Sequence, residues 1–121
     1  MGKESSIVSI TLEYGGFFGG TERRKVFFDG EKIVVERNFY NGASNLGEEL
    51  FVGVTKNDFL SDFVDINVEN WNTRYDNNGI LDGTQWGLTV EYEDGQTDEF
   101  YGSNEYPDNF DKLLELMEME A

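Results

Sequence analysis

The side chains in this sequence with the most obvious capacity for chemistry are carboxylates. Glu91, Glu93, Asp94, Asp98, Glu99, Glu105 and Asp108 crowd one stretch, with Tyr92, Tyr101 and Tyr106 among them. Two strands joined at Asp94-Gly95 would set Glu91, Glu93 and Asp94 near Asp98 and Glu99 across a hairpin. Facing like charges cost such a hairpin a few tenths to about 1 kcal/mol per pair, which a positively charged partner offsets. Rigid carboxylates interspersed with aromatic rings imitate a phosphate backbone and its bases, and suit a groove lined by Arg and Lys. The expected partner-binding residues are therefore Glu91, Glu93, Asp94, Asp98, Glu99, Glu105 and Asp108, with Tyr101 and Tyr106 as aromatic anchors.

Other chemistries are removed by what the chain lacks. With no Cys and no His, there is no disulfide, thiolate nucleophile, Cys/His zinc site or imidazole base. The glycines of Gly15-Gly16-Phe17-Phe18-Gly19-Gly20 are followed by strand-like sequence, not by Gly-Lys-Ser/Thr and a helix, so they do not make a phosphate cradle. They read as a hairpin loop with Phe17 and Phe18 at its tip, an apolar contact in reserve. Asp76–Gly87 resembles a calcium loop at its start. However, it has Ile80 at position 5, Leu81 where a glycine is needed and Gly87 in place of the bidentate Glu. Acids are too abundant for any one pair to signal a glycosidase. The expectation is a non-enzyme with no metal and no cofactor.

Charge is unevenly distributed. Residues 1–56 carry seven basic and eight acidic side chains, while residues 57–121 carry two basic and 17 acidic, out of a total of −16. Such a field repels bare nucleic acid and favours a basic protein surface, or it serves solubility alone. Halophilic adaptation would spread the acids over the whole chain. No apolar run reaches the roughly 18–20 residues of a membrane span, and the start lacks the pattern of a secretory signal. Met1-Gly2 with Ser6 meets a loose myristoylation pattern, but Glu4 and the absence of a following basic cluster argue against it. A cytoplasmic protein is expected; nothing in the sequence sets its oligomeric state.

The 121 residues suit a single α+β domain, 1–121. Ile7–Tyr14 alternates with Val8, Ile10, Leu12 and Tyr14 on one face. Arg23–Phe28, Lys32–Phe39 and Glu49–Val54 read as further strands, with Asp29-Gly30 a hairpin turn and Asn41–Asn45 a connection. Thr55-Lys56-Asn57-Asp58 caps a helix whose apolar face is Phe59, Leu60, Phe63 and Val64, and helical spacing resumes over Val68–Tyr75. Thr84–Tyr92 and Thr97–Tyr101 form a hairpin with Trp86, Leu88, Val90 and Tyr92 inward. A last helix begins near Pro107 and buries Phe110, Leu113, Leu114 and Met117. The expected fold is one antiparallel sheet of about six strands with two or three helices on one face. Its parts are an N-terminal four-stranded meander and a C-terminal hairpin.

Asp82-Gly83-Thr84-Gln85-Trp86, Tyr92-Glu93-Asp94-Gly95 and Gly102-Ser103-Asn104-Glu105-Tyr106-Pro107-Asp108-Asn109-Phe110 resemble a small domain of Gram-positive bacteria. That domain has the pattern D-G-T-x-W, a Y-x-D-G hairpin and G-x-N-x-Y-P-x-N-F before a terminal helix. The resemblance covers about the last 40 residues and implies structural roles: turn glycines, a core Trp and a helix-starting Pro. In composition alone, the chain is similar to acidic phage-encoded inhibitors of the anti-CRISPR and anti-restriction kind. That likeness implies a nucleic-acid-mimicking inhibitor acting on a nucleic-acid-handling protein.

Overall fold

The computed structural model describes residues 6–16, 20–39, 44–46, 51, 53–76, 84–103 and 105–118. The fold is α+β. Seven described strands form one sheet: β1 (Ile7–Gly16), β2 (Gly20–Asp29), β3 (Lys32–Phe39), β4 (Ser44–Leu46), β5 (Arg74–Asp76), β6 (Thr84–Tyr92) and β7 (Thr97–Ser103). Two α-helices accompany them, α1 (Lys56–Ile66) and α2 (Phe110–Leu116). The spatial order is β4-β3-β2-β1-β6-β7-β5. The sheet is mixed rather than purely antiparallel, because β5 runs parallel to β7 at the edge.

Cross-strand register defines the two faces. Ile10 aligns with Val26 and Val90, Val26 with Val35, Leu12 with Leu88, and Leu88 with Phe100. These residues are buried with Phe59, Leu60, Phe63 and Ile66 of α1 and Phe110, Leu113 and Leu114 of α2. Ring contacts of Phe28 with Phe59 (6.0 Å) and of Trp86 with Phe110 (4.8 Å) place both helices on this face. Thr55 caps α1 as expected, its hydroxyl accepting from the Asp58 amide at 3.1 Å.

Several local expectations are corrected, among them Val64, which is 40% exposed and not on the buried face of α1. A register shift between Ile7 and Ser9 brings Ile7, not Val8, into the core. One extra residue in a strand turns the side chain before it to the other face. The fourth described strand is Ser44–Leu46, which overlaps the end of the expected connection. In the segment read as a strand at Glu49–Val54, Phe51 is buried with a left-handed φ of 59° and Gly53 has φ 77°. Positive φ does not continue a strand.

The helical spacing of Val68, Trp71 and Tyr75 belongs to a 3-10 turn, Val68–Asn70, and then to β5. Left-handed Asn67 (φ 61°) ends α1, and Trp71 instead packs edge-on against Trp86 and Phe100. The last helix begins at Phe110, not Pro107, after left-handed Asn109.

Gly102 is a strand glycine facing Trp86 rather than a turn glycine. The Trp86 indole Nε1 donates to the Glu105 carbonyl at 2.9 Å. A Cβ on Gly102 would stand 2.5 Å from that nitrogen and 2.8 Å from the Glu105 oxygen. Gly102→Ala is therefore expected to cost about 1–3 kcal/mol by overpacking, read as a lower urea midpoint with unchanged slope.

Candidate partner-binding surface

Among the described residues, no helix packs on the sheet face opposite α1 and α2, and its side chains are mostly polar. Three rows cross it: Val34, Phe27, Ser9, Glu91 and Thr97; then Glu36, Lys25, Thr11, Thr89 and Glu99; then Asn38, Arg23, Glu13, Gly87, Tyr101 and Arg74. Glu91 and Glu99 therefore lie on this face. Glu91 opposes Thr97, Glu99 opposes Thr89 and Asp98 opposes Val90, so the register seats no acid directly across from another. The expected cost of facing carboxylates does not arise.

The other expected contacts divide between two ends of β7. Glu93 and Asp94 are exposed at the hairpin turn, where the Asp94 carboxylate accepts from the Gln96 amide at 2.9 Å. Asp98 points to the helix side, accepting from the Tyr92 hydroxyl at 2.7 Å. Glu105, Tyr106 and Asp108 follow the far end of β7, about 20 Å from the turn at some 3.3 Å per residue. Tyr106 rests on the Phe110 ring at 4.9 Å yet is 40% exposed. Tyr101, 47% exposed, stands between the ends on the open face, with the Arg74 guanidinium 5.2 Å from its ring centre. The fold thus brings Glu91 and Glu99 to one face of the hairpin and Glu93 and Asp94 to its turn, leaves Asp98 on the helix side, and separates Glu105, Tyr106 and Asp108 from them. Phe17 and Phe18 lie outside the described residues, as does most of the calcium-like segment.

Ion pairs sharpen the asymmetry. Those resolved join Arg23 to Glu13, and Arg24 and Arg37 to Glu22, all within β1–β3. Among the described residues, no Lys or Arg pairs with Glu91, Glu93, Asp94, Asp98, Glu99, Glu105 or Asp108. A second acidic surface runs along the helices: Asp58, Asp62 and Asp65 on α1 and Asp111 and Glu115 on α2 are exposed. The α1 stripe has i, i+4, i+7 spacing that is readable in the sequence. Glu13, Thr11, Thr89 and Gly87 join the site only through strand pairing and carry no local signal.

No protein-family model matches this chain, and comparison with curated proteins and with solved structures returns no match. Among the described residues, no helix is long and apolar enough to cross a membrane.

Proposed function

We propose that this is a non-enzymatic, cytoplasmic binding protein whose acidic C-terminal half docks on a basic surface of a nucleic-acid-handling protein. It would block that surface as a nucleic-acid mimic, in the manner of anti-CRISPR or anti-restriction inhibitors. The observation that carries this reading is the set of outward carboxylates around the β6–β7 hairpin that no described cation neutralises. Unpaired like charges on a rigid hairpin raise the potential a basic groove would meet, and they steer association. The exposed acids along both helices favour a second reading, in which acidity serves solubility alone.

The two readings separate by experiment. The heparin-retained fraction of a bacterial lysate is passed over the immobilised protein at about 0.1 M and about 1 M salt, where screening lengths are about 10 and 3 Å. Docking predicts that nucleic-acid-binding proteins are held at the lower salt and released at the higher. Reversal of Glu91, Glu93 and Asp94 to lysine is expected to abolish capture, with Tm unchanged or raised. An empty column, or capture indifferent to the reversal, leaves solubility as the account.

A further inference from the structure

The outer edge of β7 is only partly paired. β5 aligns with Tyr101, Gly102 and Ser103 and goes no further, whereas β6 lies along the other side of β7 from Thr97 onward. The Tyr101 amide points away from β6 and donates to the Thr73 carbonyl at 3.0 Å. On the opposite side, the Tyr92 amide donates to the Gln96 carbonyl at 2.9 Å. Backbone groups alternate sides along a strand, so Thr97 and Glu99 turn their N–H and C=O groups outward, as Tyr101 does. Both residues are exposed, and among the described residues no group accepts from either amide. Unpaired donors and acceptors along a strand edge are a template for another strand.

We propose that this edge takes up an extended basic segment of the protein partner as an added strand, an inference that rests on the docking reading above. Charge decides which strand is accepted. Glu99 stands on the open face and Asp98 on the helix side, with Glu93 and Asp94 at the adjoining turn. Side chains of an added strand alternate between those same two faces, so Lys or Arg at successive positions would each meet an acid. Opposite charges across a strand pair are favourable and like charges are not. A second copy of this chain, aligned edge to edge, would set Asp98 and Glu99 against their own kind, and an acidic segment would be repelled in the same way. Backbone hydrogen bonds supply the hold and the acids supply the choice. Thr73 and β5 take over the edge at Tyr101, which confines the added strand to residues 97–100.

The test is an amide NMR titration of the full chain at low salt with a capped hexapeptide of alternating threonine and arginine. Its controls are the same peptide methylated at every backbone nitrogen and a threonine–glutamate counterpart. The expected result is shifts at Thr97, Asp98 and Glu99 with the basic peptide, and slower solvent exchange of the Thr97 and Glu99 amides at saturation. Affinity should fall about tenfold or more on methylation, which keeps the charge and removes the donors. A similar fall is expected in Thr97→Pro, because proline is tolerated at the first residue of a strand and lacks the outward N–H. Undiminished binding of the methylated peptide, or by folded Thr97→Pro, overturns the added strand while leaving the docking reading in place. Equal response to the acidic peptide, or no shift anywhere, overturns both.

Discussion

Arg24→Ala is expected to destabilise the protein by about 3–5 kcal/mol, measured as a fall in the urea midpoint. Arg24 is 4% exposed on the helix-facing side of β2, an unusual place for a permanent cation. Its Nε and Nη2 both meet Glu22 Oε2 at 2.6 Å. Its Nη1 donates to the carbonyls of Met117 at 2.7 Å and Glu118 at 2.6 Å. The last turn of α2 has no basic residue of its own. Arg24 therefore supplies, from the sheet, both the positive charge and the donors that a helix C-terminus requires. Removing it strands two carbonyls and weakens the seat of Glu118, whose carboxylate accepts from the Phe51 amide at 2.9 Å. Arg37 still holds Glu22 at 3.1 Å, which places the loss toward the lower end of the range. Arg24→Lys should fall between wild type and alanine, because one ammonium cannot reproduce the fork. A loss below about 1 kcal/mol for Arg24→Ala would mean that α2 is held by its apolar stripe alone.

Phe59→Ala is expected to cost a further-ranging loss of about 3–5 kcal/mol, from lost burial plus the cavity left behind. Phe59 is fully buried on α1 and joins three elements. Its ring meets Phe28 of β2 at 6.0 Å and 62°, and Phe51 of the preceding loop at 5.5 Å and 83°. Edge-on aromatic contacts add to area burial, so the truncation removes both. The sheet beneath cannot close the hole, since its spacing is held by strand hydrogen bonds. Phe59→Leu, which keeps most of the volume, should cost less than about 1.5 kcal/mol. The comparison separates cavity formation from loss of the aromatic contacts. Neither Arg24 nor Phe59 belongs to the proposed docking face, so folded, weakened variants should still capture basic partners at low salt and low temperature.

The proposal about function and the stability predictions meet at the sheet. The helices, Arg24 and the aromatic cluster around Trp86 brace one face of the sheet, and the strands so held carry Glu91 and Glu99 on the other. A rigid backbone presents charges to a partner with little ordering needed on binding.

Much was legible before any coordinates. Periodicity identifies the inward set Trp86, Leu88 and Val90 and the stripe Phe110, Leu113, Leu114 and Met117, the Thr55–Asp58 pattern identifies the α1 cap, and the order of elements identifies the α+β class. Those features are local: side-chain period and cap chemistry act within one element. What only the tertiary structure decided was which strands lie side by side. That choice turned the Val68–Tyr75 spacing into a 3-10 turn and a parallel edge strand, because Trp71 found a better seat against Trp86 and Phe100 than a helix could offer. It also buried Arg24 and separated Glu105 and Asp108 from the hairpin acids. Sequence spacing carries no information about neighbours across a sheet, where pairing joins residues as far apart as Thr11 and Thr89.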